Sequence, residues 1–283
     1  MVRTTLECLE CLRTQAKRTL SYHTATQASF ALPILDSLPL CPPPKLAVPV
    51  YESISAFVGK SDLYKEQKTR SIQKARQVLQ QIQASITAPH SLEFGIRLAA
   101  LGNIIDYGSA SGFDVESCLF DMDSMEFAIY DIEHLGQKLA SAQELVYIGD
   151  NAGEDVFDSA FINILLALYP KLKVYYFTRG APIINDITLQ DLHDNNSPIL
   201  EVCEVVDSGV RSPGFLYEYA SSQARELYDR ADVVLAKGMG NFECLEDRVD
   251  SRVFLLFKIK CAVVARFLQQ PQGSFVLKNL RAS

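Results

Sequence analysis

The chain has 283 residues, 48% of them hydrophobic and 22% charged, with a formal net charge of −7. This hydrophobic fraction excludes a disordered chain, and the acidic balance disfavours nucleic-acid binding, which needs a basic surface. No apolar run reaches the roughly 18 residues of a membrane span. The charged N-terminal segment lacks a signal-peptide core, so we expect a cytoplasmic protein that binds neither nucleic acid nor membrane. The sequence leaves the oligomeric state open.

The first part of the chain, residues 1–88, is predicted to form a small helical bundle domain. The proline-rich segment 39–50 predicts an extended connector. Segment 68–86 predicts an amphipathic helix, because apolar residues recur there at spacings of three and four. These are Ile72, Ala75, Leu79, Ile82 and Ile86. The apolar side of this helix needs a partner, which we expect in segments 5–20 and 51–57.

The remainder, residues 89–283, alternates helical and strand-like segments. A helix is predicted over 91–108, with Ser91 as N-cap and Gly108 as C-cap. Apolar strands are predicted at 145–149, 173–178, 201–206, 232–237 and 253–259. Helices are predicted at 154–169, 187–194, 215–230, 241–247 and 261–269. Such an alternation indicates an α/β domain in which helices cover both faces of a mainly parallel sheet.

Four consecutive predicted strands end in loops that combine glycine with Asp, Asn, Lys or Arg. These loops read GDNAGE (149–154), RGAPIIND (179–186), DSGVRSPG (207–214) and KGMGNFE (237–243). The carboxyl ends of parallel strands meet at one edge of a sheet, where ligands bind. One such loop would be ordinary turn chemistry, but four at a single edge predict a binding site.

Asp150, Asn151 and Asp186 form the predicted metal site within these loops. Carboxylate and amide oxygens are hard ligands that suit Mg²⁺ or Mn²⁺. Three protein oxygens leave positions for water and substrate, and a metal there would polarise a phosphoryl oxygen and lower the pKa of a bound water. The alternative is that each of the three side chains caps a helix.

Phosphate binding is the second chemistry that the loops suggest. Glycines such as Gly238 let backbone N–H groups approach an anion, while Lys237, Arg179 and Arg211 supply positive charge. Neither the P-loop nor the dinucleotide-binding glycine pattern follows a predicted strand. Asn103 and Asp106 are three residues apart, so they would share one face of the predicted helix 91–108. There they would either point into the site or hydrogen-bond to a neighbouring loop.

The pair Cys8 and Cys11 has a spacing that can close on a metal ion. A tetrahedral site needs two further ligands, and no second C-x-x-C pair supplies them. The alternative is two ordinary helix thiols, one turn apart.

Five motifs together resemble those of a known family. GDNAGE (149–154), GNIID (102–106), IINDIT (183–188), SGVRSPG (208–214) and AKGMGNFE (236–243) are similar to the motif set of the metal-dependent damage-control phosphatases, or domain of unknown function 89. The N-terminal ECLECLRTQ and the later KIKC (258–261) resemble its stand-alone microbial branch. The resemblance implies a small N-terminal helical bundle on a three-layer α/β/α domain, with a mainly parallel or mixed sheet.

The resemblance also implies roles for particular residues. It places a divalent metal (Mn, Co, Ni or Mg) on Asp150, Asn151 and Asp186, and it places Lys237 at the substrate phosphate. The pocket residues that it implies are Glu154, Asn103, Asp106, Asn185, Asn241 and Glu243. Cys8, Cys11 and Cys261 would meet across the two domains as a second metal site.

Family activity implies hydrolysis of a small phosphorylated metabolite, a sugar phosphate or a damaged phosphometabolite, by a metal-activated water. Glu154 or Asp106 would act as general base, and direct attack by an aspartate is the alternative. Two other functions stay open. One is a regulator that binds metal and phosphometabolite without turnover. The other is a carboxylate methyltransferase-like relative, for which no cofactor motif is recognisable.

Overall fold

The computed structural model describes residues 2–23, 41–85, 91–102, 122 and 124–281. Its helices are α1 (Leu6–Ser21), α2 (Pro43–Val58), α3 (Lys65–Ser85), α4 (Leu92–Leu101), α5 (Ile132–Leu139), α6 (Glu154–Leu168), α7 (Leu189–Asp194), α8 (Ile199–Val202), α9 (Ser222–Arg230), α10 (Met239–Leu245) and α11 (Ala262–Leu268), with a 3₁₀ turn at Tyr217–Tyr219. Its strands are β1 (Phe127–Tyr130), β2 (Glu144–Ile148), β3 (Lys173–Thr178), β4 (Glu204–Asp207), β5 (Val233–Lys237), β6 (Asp250–Lys258) and β7 (Phe275–Leu280).

The strands form one seven-stranded sheet in the order β1-β7-β6-β5-β2-β3-β4. The five strands from β6 to β4 run parallel, while β7 is antiparallel to β6 and β1 is parallel to β7. The predicted α/β class with a mainly parallel sheet is therefore confirmed, in its mixed form. Strands β1 and β7 and helix α5 are additions that the sequence patterns did not reveal.

Side chains of successive strand residues enter different cores on the two faces of the sheet. Tyr147 belongs to one apolar cluster, together with residues of α3, α4 and α6. Val146 and Ile148 belong to a second cluster, together with residues of α9, α10 and α11. Because a strand alternates its side chains between faces, β2 is buried on both, and the domain has three layers.

Several predicted elements differ in their bounds from the observed ones. The predicted strand 201–206 begins only at Glu204, because its first residues close the short helix α8. In place of the predicted helix 215–230, the structure has the 3₁₀ turn followed by α9. Ser221 is the N-cap of α9, and its hydroxyl accepts a hydrogen bond from the Ala224 N–H (3.2 Å). Ser91 is confirmed as the N-cap of α4, accepting from the Phe94 N–H at 3.1 Å. Gly108 lies outside the described residues.

The prediction of an extended connector at 39–50 is wrong, because α2 begins within it at Pro43. Proline at the first helical positions needs no N–H bond and has a suitable φ angle, so Pro43 and Pro44 start the helix. Pro49 lies inside α2. The helix nevertheless forms, since Leu46, Ala47, Val50, Tyr51 and Ile54 are buried on one side.

The predicted amphipathic helix is confirmed as α3, but its expected partners are wrong. Ile72, Ala75 and Ile82 are buried in the same cluster as Phe157 and Phe161 of α6. Helices α1 and α2 form a separate cluster that also contains Ile183, from the loop after β3. Thus α3 packs on the α/β core, and α2 lies beside a strand-end loop. The domain boundary at residue 88 stays a prediction.

No helix among the described residues has both the length and the apolarity that a bilayer crossing requires.

Candidate active site at the carboxyl ends of the strands

The predicted metal ligands lie together at the carboxyl edge of the sheet, where β2 is flanked by β3 and β5. Asp150 and Asn151 follow β2, and Asp186 lies in the loop after β3. Backbone bonding joins the two segments, since Asn151 and Asp186 form an isolated antiparallel bridge and the Ile187 N–H donates to the Asp150 carbonyl at 2.9 Å. In the fold, these residues, which are distant in sequence, lie together at one edge of the sheet, as expected.

Gly238 allows the loop after β5 to approach Asp150 closely. Its φ is +87°, which glycine adopts without strain. A Cβ atom at this position would lie 2.0 Å from Oδ2 of Asp150. The loop therefore touches the carboxylate directly, so any side chain here would displace it.

Arg179, at the end of β3, pairs with both aspartates of the site. Its Nε donates to Oδ2 of Asp186 at 2.7 Å, and its Nη2 lies 3.6 Å from Oδ1 of Asp150. All three side chains are buried. Burial raises the pKa of Asp150 well above its usual value, and the charges of Glu154 and Asp186 raise it further. Burial also raises the pKa of Asp186, although Arg179 opposes that shift.

Lys237, at the end of β5, is fully engaged within the protein. Its Nζ donates to the Ala99 carbonyl (2.8 Å) and to Oδ1 of Asp158 (2.9 Å), and it lies 3.0 Å from Oε2 of Glu154. Burial alone would lower the pKa of Lys237, but the carboxylates of Asp158 and Glu154 raise it above its usual value. An ammonium group has three N–H donors, and this geometry uses all of them. Lys237 is thus placed to orient Glu154.

Asn151 links the two halves of the site. Its Nδ2 donates to Oδ2 of Asp150 at 2.8 Å and to Oε1 of Glu154 at 2.9 Å. These bonds use the amide nitrogen and leave the amide oxygen for another partner.

Negative charge exceeds positive charge in this buried cluster. Among the residues that the structure describes, four carboxylates of the cluster face two cations, Arg179 and Lys237. The four belong to Asp150, Glu154, Asp158 and Asp186. Buried charge without compensation is costly, and a divalent cation would balance the difference. Two aspartate carboxylates and one amide oxygen are hard donors of the kind that such cations prefer, so the residues present fit the predicted metal.

The candidate donors, two carboxylates and one amide, include neither His nor Cys, which are the usual ligands of a zinc centre. Within the described ranges, no group of three or more His, Cys, Asp or Glu side chains is arranged to hold a metal ion. The metal assignment to Asp150, Asn151 and Asp186 stays a prediction that rests on charge and on donor chemistry.

The other predicted pocket residues surround this cluster in different ways. Asn241 holds three loops together: its Oδ1 accepts from the Phe215 N–H at 2.7 Å, and its Nδ2 donates to the carbonyls of Lys237 (2.6 Å) and Gly149 (3.3 Å). Burial raises the pKa of Glu243 to about 8. The Asn185 carbonyl accepts from the Ala152 N–H at 2.9 Å.

Three predicted residues lie farther from the cluster or outside the description. Arg211 is exposed and lines a cavity beside α2. Asn103 and Asp106 fall outside the described residues. Gly102, which immediately precedes Asn103, lies against the cluster, because a Cβ there would be 3.5 Å from Cγ of Glu154. The predicted roles of Asn103 and Asp106 stay predictions.

The predicted second metal site involves residues of α1 and of the segment before α11. Burial is the largest cause that raises the pKa of Cys261, and the charges of Glu243 and Cys8 add to it. Glu7 of α1 forms an ion pair with Arg266 of α11, so the helices that carry or follow Cys8 and Cys261 lie side by side. Cys11 is exposed, and its Sγ accepts from Nε2 of Gln15 at 3.4 Å. The second metal site stays a prediction.

Asp158 is a member of the cluster that the sequence patterns did not identify. Besides Lys237, it accepts hydrogen bonds from the hydroxyls of Tyr147 (2.6 Å) and Tyr176 (3.0 Å). The available signal was a carboxylate four residues after Glu154 in a helix with a largely apolar sequence. Residues at i and i+4 share a helix face, and a buried carboxylate requires partners.

Gly238→Ala is expected to weaken metal binding at least about tenfold, which is the scale of changes next to metal ligands. The reason is that the new Cβ must displace the Asp150 carboxylate. Mn²⁺ affinity, measured by calorimetry, checks this. Gly59→Ala is the matched control, since Gly59 also has a positive φ (+73°) but a Cβ added there would meet no atom within 4 Å. Equal Mn²⁺ affinity in the two variants would contradict the prediction.

Comparison with known proteins agrees with this architecture. The family model of the damage-control phosphatase ARMT1-like domain matches residues 4–276. A damage-control phosphatase of Pyrococcus horikoshii is 33% identical over 230 residues, which cover 80% of this chain and 78% of the relative. A damage-control phosphatase of Archaeoglobus fulgidus is 29% identical over 242 residues, covering 82% and 81%.

A solved structure extends the similarity to the whole fold. The crystal structure of a DUF89 family protein from Pyrococcus horikoshii matches with a TM-score of 0.85 and 28% identity, covering 99% of both chains. Assignment to the cysteine-bearing branch stays a prediction. On the family match and these relatives, the chain belongs to the damage-control phosphatase ARMT1-like domain family.

Proposed function

We propose that the protein is a metal-dependent phosphatase that hydrolyses small phosphomonoesters. The observation that carries this proposal is the buried excess of carboxylates over cations at the carboxyl edge of the sheet. The names of two relatives, both damage-control phosphatases, support the reaction class. Sugar phosphates and damaged phosphometabolites are the substrates we propose, with Mn, Co, Ni or Mg as the cofactor.

Asp150, Asn151 and Asp186 would hold the metal. When bound, it would supply Lewis-acid polarisation of a phosphoryl oxygen and a lowered pKa for water. Arg179 keeps Asp186 in place through the 2.7 Å bond from its Nε. Asn151, held by Asp150 and Glu154 through its nitrogen, keeps its oxygen for the metal.

Hydrolysis forms a bond from a water oxygen to phosphorus while the bond from phosphorus to the alcohol oxygen breaks. The water loses a proton, and the departing alcohol gains one. Glu154 is our proposed general base, since its carboxylate lies beside Asp150 and Asn151 and is oriented by Lys237. Lys237 therefore acts on the substrate through Glu154 in this proposal, in place of the direct phosphate contact that the family resemblance implied.

The experiment that tests this function is release of phosphate from 4-nitrophenyl phosphate and from a panel of sugar phosphates. Metal-stripped protein would be assayed alone and with Mn, Co, Ni, Mg or Zn added back. We expect release only with added metal. A protein that binds one metal per chain yet hydrolyses nothing in the panel would overturn the proposal and favour a binding protein without turnover.

A further inference from the structure

A cavity of about 270 Å³ lies between α2 and the loops that carry the candidate active site. One wall is α2, through Val48, Tyr51, Glu52 and Ser55. The opposite wall is the segment 181–184 after β3, and the remaining lining comes from 61–63 and Arg211. The cavity thus lies between the N-terminal helix α2 and the strand-end loops.

One wall of the cavity adjoins a candidate metal ligand in the sequence. The wall segment 181–184 directly precedes Asn185 and Asp186, and the Asp186 N–H donates to the Ile183 carbonyl at 3.1 Å. The charge of Asp186 also contributes to raising the pKa of Tyr51 on the opposite wall, although burial is the main cause. A molecule with its phosphate at the metal could therefore extend its remaining part into this space.

Ile184, in the same wall, has an unusual backbone conformation. Its φ is +46°, which is a genuine outlier for a β-branched residue. Such strain persists only where the surrounding structure enforces it, and it concentrates at ligand sites. The wall of the cavity is therefore held in shape by its neighbours.

The lining offers both a hydrogen-bond acceptor and a donor that the protein does not use. Within the described part of the chain, neither Glu52 nor Arg211 has an ion-pair or hydrogen-bond partner. Asp62 is already held by Lys68 at 2.6 Å. A carboxylate acceptor and a guanidinium donor in one lining suit hydroxyl groups, which both donate and accept. One charge of each sign favours neither an anion nor a cation.

The size of the cavity limits the ligand. About 270 Å³ is near the lower end of ligand pockets, which run from roughly 300 to 1,000 Å³. A compact alcohol with several hydroxyls is of this scale, whereas a nucleotide-sized group is too large.

Resting on the proposed function, we infer that this cavity is the subsite for the alcohol part of the substrate, with Glu52 and Arg211 selecting hydroxyl-bearing groups of about sugar size. The N-terminal helices then determine specificity, while the sheet edge binds the phosphate. Glu52 and Arg211 are specificity-determining residues outside the carboxylate cluster.

The test blocks the cavity from an exposed helix position. Glu52→Trp places a bulky ring at the mouth without changing a buried residue. Ala56→Trp is the matched control, because Ala56 is exposed on the same helix and does not line the cavity. For each variant, kcat/KM is measured with glucose 6-phosphate and with methyl phosphate, whose alcohol part is too small to fill the cavity.

We expect Glu52→Trp to lower the ratio of kcat/KM for glucose 6-phosphate to that for methyl phosphate by at least about tenfold, the scale of pocket discrimination. Ala56→Trp should keep the wild-type ratio. Arg211→Ala should lower the ratio in the same direction without added bulk. An unchanged ratio in Glu52→Trp, or an equal change in Ala56→Trp, would overturn the inference.

Binding measurements separate this inference from the proposed function. If the wild-type protein hydrolyses neither ester, the phosphatase proposal fails, and calorimetry in Mg²⁺ buffer then decides the subsite. Tighter binding of glucose 6-phosphate than of inorganic phosphate, lost in Glu52→Trp but kept in Ala56→Trp, supports the cavity as a subsite. Equal affinity of the wild-type protein for the two ligands refutes it.

Discussion

Asp150→Asn is expected to reduce metal-dependent phosphate release at least about 100-fold while making the metal-free protein more stable at pH 8. The activity falls because one of the two anionic metal donors is lost, and removal of a group that stabilises transition-state charge costs about 10²–10³ in rate. Asparagine keeps the shape, and its oxygen can still accept the 2.8 Å bond from Asn151.

The gain in stability follows from the raised pKa of Asp150, which burial and the charge of Glu154 cause. Its pKa in the folded state lies above that in the unfolded state. The stability that its protonated form contributes is therefore present below the unfolded pKa and is lost as pH rises towards the folded pKa. Asparagine cannot ionise, so the variant avoids this loss.

Two measurements check the prediction: phosphate release with Mn²⁺, and urea unfolding of metal-stripped protein at pH 5 and pH 8. Asp247→Asn is the control, because Asp247 is exposed. A variant that keeps the wild-type rate of Mn²⁺-dependent phosphate release would exclude Asp150 as an essential metal ligand. A variant less stable than wild type at pH 8 without metal would contradict the charge argument.

Lys237→Met is expected to destabilise the protein by about 3–5 kcal/mol, the cost of removing one partner from a buried ion pair. The carboxylates of Glu154 and Asp158 would lose the ammonium that lies 3.0 and 2.9 Å from them. The Ala99 carbonyl would lose its bond as well. Because Glu154 would no longer be oriented, phosphate release should fall even under conditions where the variant stays folded.

Denaturant unfolding measures the loss of stability. Adding Asp158→Asn to Lys237→Met should recover part of it, since the substitution neutralises one abandoned carboxylate. Lys173→Met is the matched control: its ion pair with Glu204 is exposed, so its removal should leave the unfolding free energy nearly unchanged. Equal effects of Lys237→Met and Lys173→Met would contradict a buried charge network.

The position of the candidate site at the carboxyl edge of the sheet can be predicted from the sequence, because it depends on local features. A short apolar run predicts each strand, and the sequence then gives the residue that follows the strand. Parallel pairing then places all the strand ends at one edge, so the sequence predicts that Asp150 and Asp186 lie together although 35 other residues separate them. The apolar face of α3 can be predicted in the same way, since Ile72, Ala75 and Ile82 recur at helical spacing.

The packing and hydrogen-bond partners of these residues cannot be predicted from the sequence, because they come from distant parts of the chain. The sequence shows that α3 needs an apolar partner, but only packing shows that α6 provides it. It places Lys237 at a strand end, yet the donors of Lys237 are taken by Asp158 and by Ala99, which is 138 residues away. The prolines at 42–44 predict an extended connector, whereas in the fold they lie at the start of α2.

By itself the sequence determined the α/β class, the family and the edge of the sheet that carries the candidate site, since periodicity and strand-end residues are local properties. Only the tertiary structure decided which charges are buried together and which helix walls the cavity beside Ile184. Charge compensation and cavity shape depend on distances between side chains, and those distances exist only once the chain has folded.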